Sequence, residues 1–153
     1  MPLWKTKQLE PFINKLSNRS NYEEVLFVLN ELDTVSERQP IILSQFAIYL
    51  KSLLEDNDDK IRDYAFNLLM RYLRLNPNEA KHFYKSYKDC LISEKNKIYN
   101  SAIKFLSDFI LLSSDKSEIL IREAIRGSQK HNIDISGKLY ESIRLLRLEK
   151  YVY

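Results

Sequence analysis

The feature that most constrains the fold of this chain is an internal repeat with a period of 37 residues. Apolar residues recur at the 3.6-residue spacing of α-helices along nearly the whole sequence. A shift of 37 positions superimposes two consecutive helical patterns and the turn between them, which chance similarity between amphipathic helices does not explain. The aligned residues are Leu43, Phe46, Ala47, Leu50 and Leu54 with Ala80, Phe83, Tyr84, Tyr87 and Leu91, then Ile61, Ala65, Leu68, Leu69 and Leu73 with Ile98, Ala102, Phe105, Leu106 and Ile110.

A helix pair that repeats near 40 residues has the period of HEAT and armadillo arrays. Each pair buries one face internally, and the rest is buried when neighbouring pairs stack. We therefore predict an all-α, HEAT/armadillo-like stack of antiparallel helix pairs with about eight helices. Residues 1–153 form a single domain in this prediction, with pairs at roughly 8–35, 40–75, 78–112 and 115–149. The first pair matches the repeat poorly and is predicted to act as an N-terminal cap.

Local signals place several helix ends. Asn21 followed by Glu24 is a capping-box pattern that begins one helix. The acidic run 56–59 forms a turn whose carboxylates favour the helix start behind it. Ser93 is predicted to cap a sixth helix that continues through Ile110, and Gly127 is predicted to follow the C-terminus of a seventh.

Composition excludes several kinds of site. With two glycines in 153 residues, no glycine-rich phosphate loop can be written. The single cysteine excludes a disulfide framework and a multi-thiolate zinc site. His82, predicted at a helix surface, and His131, predicted in a loop, have no acid or nucleophile at a catalytic spacing. We predict no catalytic residues, no metal and no cofactor, and hence no enzyme.

The chain shows no membrane or export signal. Its N-terminal stretch lacks the apolar core of a secretory signal, and no apolar run approaches the roughly 18 residues that span a bilayer. These patterns predict an intracellular protein with no membrane partner. Cys90, which lies among core-type residues, is predicted to be reduced and to act as a small buried hydrophobe.

The second helices of the pairs carry another stripe beside the core stripe, and this stripe is a candidate binding surface. Arg62, Phe66 and Met70 follow one another at intervals of four, and Tyr99 and Ile103 occupy the places 37 residues further on. In HEAT-like arrays these helices line the concave face, so the stripe could form a groove for a partner. The alternative is packing against the adjacent repeat, which needs such residues too. Solvent exposure of the side chains decides between the two.

Two further features bear on partners. Tyr151 and Tyr153 end the chain as candidate contacts for a partner. Lys81, Lys85 and Lys88 share a helix face, and the basic surface around 81–104 could instead bind nucleic acid. Acidic residues interrupt that surface, so an ordinary solvated face explains it too, and nucleic acid is not the expected partner.

Several segments in order resemble the C-terminal helical domain of Integrator complex subunit 1. The resemblance covers roughly residues 26–149, and it rests on the order and spacing of the segments more than on any single motif. Ser107 departs from the family, which tends to have proline there. The segments are Val28–Pro40, Asp59–Leu69, Asn76-Pro77, Leu106–Leu112, Ile119-Leu120 with Ala124 and Gly127, and Ile135–Glu149.

The resemblance implies a function that the residues alone do not. It implies a non-catalytic scaffold module of a nuclear complex that works with RNA polymerase II in small nuclear RNA 3′-end processing and transcription attenuation. The implied partners are other Integrator subunits, with subunit 12 as a candidate, and a short helical segment lying in a groove is the natural mode of binding.

Overall fold

The computed structural model describes the backbone of residues 6–18 and 21–152 and the side chains of residues 9–17 and 21–147. Within these residues every regular element is helical, so the predicted all-α fold is confirmed. The α-helices are α1 (Thr6–Asn18), α2 (Tyr22–Arg38), α3 (Ala47–Ser52), α4 (Asp59–Leu75), α5 (Tyr84–Leu91), α6 (Asn96–Ile103), α7 (Leu106–Leu112), α8 (Ser117–His131) and α9 (Ser136–Val152).

Two compact units divide the chain, Met1–Leu75 and Asn76–Tyr153. In the first unit, α4 packs against α2 and α3, and α1 packs against α2. In the second unit, α7 packs against α9 and α8, and α5 packs against α6 and α8. The boundary between the units coincides with the predicted end of the second helix pair at residue 75. Each unit therefore contains two of the four predicted pairs, while the prediction of one domain over 1–153 stays a prediction.

The 37-residue period is confirmed in the backbone. Short 3-10 helices begin at Pro40, Pro77 and Ser114, which are 37 residues apart. The residue before each has nearly the same conformation, with φ between −131° and −134° and ψ between 57° and 71°. Proline suits the first turn because its φ is preset and its missing N–H would be unsatisfied there. The helices α3 and α5, and likewise α4 and α6, also begin 37 residues apart.

Two of the predicted helix starts have the expected caps. The Glu24 amide donates to Oδ1 of Asn21 at 3.2 Å, as the capping box requires. In the acidic run, the Ile61 amide donates to Oδ2 of Asp58 at 2.9 Å, so Asp58 caps α4. A carboxylate here satisfies an orphan donor and also lies at the positive end of the helix dipole.

Three details differ from the predictions. The predicted sixth helix is broken into α6 and α7, because the Ala102 carbonyl accepts the Phe105 amide at 3.0 Å in a tighter i to i+3 turn. Gly127 lies inside α8, which ends at the left-handed Asn132 (φ 55°). Asparagine tolerates this conformation and so provides the stop that was assigned to the glycine. His131 is the last residue of α8 and does not lie in a loop.

Candidate protein-interaction surface

The five internal residues of the predicted binding stripe are all buried. Arg62, Phe66 and Met70 on α4, and Tyr99 and Ile103 on α6, are at most 5% exposed. A partner cannot contact side chains that the domain encloses, so these residues do not form an open groove. The packing alternative describes them, and they are not proposed again as contacts.

Arg62 shows how a charged residue is accommodated in this stripe. Its guanidinium donates to the Asp56 carbonyl at 2.8 Å and to Oδ1 of Asp59 at 2.5 Å. Asp56 belongs to the turn that precedes α4, and Asp59 is the first residue of α4, so Arg62 ties that turn to the first turn of its own helix. A buried arginine is tolerated only when its donors are satisfied in this way. The role of Arg62 is structural.

Tyr99 fills the place 37 residues after Arg62 and reaches across to α8. Its hydroxyl donates to the Ala124 carbonyl at 2.5 Å, and its ring lies 5.2 Å from the His131 ring. A Cβ added to Gly127 would lie 2.1 Å from the Tyr99 ring, so only glycine leaves room for this contact. Burial raises the pKa of Tyr99 to about 12. The third helix pair is thus locked to the fourth through its stripe.

The two remaining residues of the candidate set are Tyr151 and Tyr153. Tyr151 lies in α9, but its side chain is outside the described residues, and Tyr153 is outside them altogether. Both stay predictions.

An open polar groove on the first unit was not found from the sequence. It has a volume of about 490 Å³ and lies along α2 and α4. The sequence signal that could have indicated this groove is the helical spacing of polar residues on α4, but such a spacing is also typical of any solvated helix face. Its lining residues are Asp33, Lys60, Asp63, Tyr64, Asn67, Arg71 and Arg74.

Hydrogen bonds between α2 and α4 order the wall of this groove. The Arg71 guanidinium donates to Oδ1 of Asp33 at 3.0 Å, to the Asp33 carbonyl at 3.0 Å and to Oγ of Ser36 at 2.5 Å. The Tyr64 hydroxyl donates to Oδ1 of Asn30 at 3.2 Å. Planar guanidinium contacts of this kind fix geometry well, so the groove presents a preorganised surface to a polar ligand.

A smaller cavity of about 270 Å³ lies in the second unit beside Tyr84. The Tyr84 hydroxyl is buried without a hydrogen-bond partner, and the Lys116 ammonium lies 5.8 Å from the ring centroid. Burial and the nearby Asp115 and Glu123 carboxylates raise the pKa of Tyr84. The phenol therefore stays protonated and can only donate or accept as a neutral group.

Ion pairs involve one of the lysines proposed for nucleic-acid contact, Lys85, and one lysine outside that set, Lys130. Lys85 forms an ion pair with Asp89 at 3.6 Å within α5. Lys130 pairs with Glu94 and lowers the pKa of that carboxyl through a hydrogen bond and charge attraction. Exposed pairs like these contribute little to stability, but they reduce the net positive field that a phosphate backbone requires.

The cysteine and the two histidines, which are the residues most able to react or to bind a metal, have the following surroundings. Cys90 is buried, as predicted. Nε2 of His131 lies 2.9 Å from the Ser93 carbonyl, and exposed His82 lies 3.7 Å from Glu79. Within the described part of the chain, no three His, Cys, Asp or Glu residues are grouped so that they could hold a metal ion. Among the described residues, no helix has both the length and the apolar character that crossing a bilayer demands.

Comparison with known proteins supplies the family. The human protein Integrator complex subunit 1 is 28% identical over 142 residues, which cover 93% of this chain and 6% of the human protein. A Dictyostelium discoideum homolog of the same subunit is 28% identical over 111 residues, or 72% of this chain and 4% of that protein. The chain thus spans about 6% or less of the length of the curated relatives it matches. The family described as the R4 domain of Integrator complex subunit 1 matches residues 13–114, and the chain belongs to this family.

Proposed function

We propose that this domain is a non-catalytic scaffold module that docks another subunit of the Integrator complex in the nucleus. The observation that carries the proposal is the R4-domain match over residues 13–114, which includes both copies of the clear 37-residue repeat. Through that family the module would serve RNA polymerase II-associated small nuclear RNA processing and transcription attenuation. Subunit 12 is one candidate for the docked subunit.

The physical character of the domain supports a docking role. Within each unit, helix pairs with buried stripes form a stiff support, because repeats of this kind are stabilised by the elements packed against them. The groove along α2 and α4 is already ordered by the Arg71 contacts, so little side-chain entropy would be lost when a partner binds there. A preformed surface of this kind suits the recognition of a folded or helical segment.

The test is affinity capture with the 153-residue chain as bait in nuclear extract, followed by quantitative mass spectrometry. A matched bait carrying Leu68→Asp controls for capture through exposed apolar surface, since a carboxylate at this fully buried position should unfold the first unit. Enrichment of Integrator subunits on the native bait relative to the control supports the proposal.

Other outcomes overturn it. Recovery of unrelated machinery, or of the same proteins on both baits, contradicts a specific Integrator docking role. Direct RNA binding at physiological salt with a steep dependence on salt concentration would assign the nucleic-acid function in its place.

A further inference from the structure

The stripe that is buried in the earlier pairs is exposed on the last helix. Steps of 37 residues connect Phe66 with Ile103 and then with Tyr140. The first two side chains are buried, whereas Tyr140 is 71% exposed. The same steps lead from buried Met70 through buried Ser107 to Arg144 on α9, which is also exposed. Helix α9 thus exposes the positions whose counterparts in the earlier pairs are buried.

Contacts inside the second unit show what this stripe normally does. The stripe of the third pair is covered by the fourth pair. The Tyr99 hydroxyl donates a hydrogen bond to the Ala124 carbonyl at 2.5 Å, and the Ser107 and Ser142 hydroxyls are hydrogen-bonded at 3.1 Å. Ser142 is the side of α9 that faces α7. Positions 140, 144 and 147 lie nearly opposite Ser142 at 100° per residue. The face of α9 that carries positions 140, 144 and 147 therefore points away from α7.

This face combines two apolar and two cationic side chains. Tyr140, Ile143, Arg144 and Arg147 follow the i, i+3, i+4, i+7 spacing of one helix surface, and all four are exposed. Within the described side chains, neither arginine forms an ion pair, and the nearby Glu141 pairs with Lys138 at 3.4 Å. Two guanidinium groups beside an aromatic and an aliphatic side chain resemble the polar rim and apolar centre of a protein interface.

The change in charge along the repeat indicates the chemistry of the occupant. Where the earlier pairs have Met70 and Ser107, α9 has Arg144. Another copy of the same helix pair would leave this guanidinium beside neutral packing residues, which is costly when it is buried. A second copy of this chain would bring like charges together across a two-fold axis. A partner with carboxylates avoids both costs.

We propose that the outer face of α9 is the docking site for an acidic amphipathic helix of a partner protein. Tyr140 and Ile143 contact the apolar side of that helix, while Arg144 and Arg147 pair with its Asp or Glu side chains, for which guanidinium geometry is well matched. This inference rests on the proposed docking function and names one surface and one class of partner for it.

The experiment measures the binding of three synthetic helix-forming peptides to the 153-residue chain by fluorescence anisotropy. Each peptide has about 20 residues, enough to be helical, and the same leucine stripe. The flanking positions carry only Glu, only Gln or only Lys. The Glu peptide should bind about tenfold more tightly than the Gln peptide, as two partly exposed charge pairs would give, and the Lys peptide should bind most weakly.

Charge reversal then locates the site. The double variant Arg144→Glu with Arg147→Glu should transfer the preference to the Lys peptide. A matched control, Arg122→Glu with Arg126→Glu on α8, makes the same change in net charge at exposed positions and should keep the preference for Glu. Circular dichroism checks that both variants retain the helical content of the native chain.

Three results would overturn the α9 site: no peptide binding, equal affinities for the three peptides, or an unchanged preference in the α9 double variant. A concentration-dependent dimer that Tyr140→Glu dissolves would assign the face to a second copy and also end the proposal. If the α9 variant still captures Integrator subunits as well as the native bait, the proposed function stands and only the α9 site is wrong.

Discussion

The second helices of the second and third pairs begin 37 residues apart, but only one of them is continuous. Helix α4 runs unbroken for 17 residues, whereas its counterpart is divided into α6, which ends at Ile103, and α7, which begins at Leu106. The apolar patterns of the two segments are nearly the same. A contact from outside the segment accompanies the break.

The contact comes from Tyr87, which stands where the second pair has Leu50. Its hydroxyl donates to the Ala102 carbonyl at 2.8 Å, and its ring stacks on Phe109 with centroids 3.9 Å apart and planes 6° apart. A side chain that donates a hydrogen bond to a backbone carbonyl can interrupt the regular series of backbone hydrogen bonds and bend a helix. Leu50 has no polar atom to do this, so α4 stays intact. We infer that the Tyr87 hydroxyl, which comes from a neighbouring helix, causes the break between α6 and α7.

Exchanging Tyr87 and Leu50 is the change with the largest expected effect on the difference between the two pairs. Tyr87→Leu removes a fully buried ring, its stacking partner and its hydrogen bond, and should lower the free energy of unfolding by about 2–4 kcal/mol. Chemical denaturation followed by circular dichroism measures this. The reciprocal Leu50→Tyr is also destabilising, because it overpacks the first unit and buries an unpaired hydroxyl. A loss below about 0.5 kcal/mol for Tyr87→Leu would show that the ring is not integral to the core.

A second difference between the pairs concerns Tyr99 and Arg62, which occupy equivalent positions 37 residues apart. Tyr99 contacts α8, whereas Arg62 contacts the start of its own helix. Gly127→Ala tests the contact of Tyr99. The added Cβ would collide with the Tyr99 ring, at a cost of about 1–3 kcal/mol. Alanine regains about 1 kcal/mol of helix propensity, so a net loss of about 0–2 kcal/mol is expected in thermal or chemical unfolding.

A second variant separates the clash from other effects at Gly127. In a Tyr99→Leu background the ring is absent, so Gly127→Ala should become neutral or stabilising. The double-mutant cycle contradicts the proposed contact if the cost of Gly127→Ala is the same in both backgrounds.

The tyrosines of the second unit also predict a loss of stability at high pH. The pKa of Tyr99 is raised to about 12 in the folded state, whereas an unfolded tyrosine titrates near 10. The native state is unaffected below pH 10 and is destabilised as pH rises from 10 towards 12, because the unfolded chain releases its proton first. At pH 11 this amounts to about 1 kcal/mol for Tyr99. The variant Tyr99→Phe should show a smaller decrease between pH 9 and 11 than the native chain, and an identical decrease would contradict the assignment.

Sequence patterns could predict the repeat but not the contacts that make its copies differ. The 37-residue spacing can be read from the positions of Pro40, Pro77 and the apolar residues that follow them, and the helices of the structure begin at the same spacing. Gly127 was assigned to a helix end because glycine commonly occurs there. Its actual role depends on the Tyr99 ring, which lies 28 residues away in sequence. The stripe that was proposed as a candidate binding surface is buried at its five internal positions, because the sequence pattern of one helix does not show which neighbouring elements cover it.

Tyr87→Phe is the mildest change and the sharpest test of why α6 and α7 are separate helices. It keeps the stacking on Phe109 and removes only the hydroxyl. The Ala102 carbonyl still accepts the Phe105 amide, so it is not left unsatisfied, and the expected loss is roughly 0.5–1 kcal/mol. If the hydroxyl causes the break, the variant should regain α-helical continuity between Ile103 and Leu106, seen as slower hydrogen exchange of the amides in this stretch. If those amides exchange as in the native chain, the packing of Phe105 must hold the break open, and the single difference between Leu50 and Tyr87 no longer explains why the two pairs diverge.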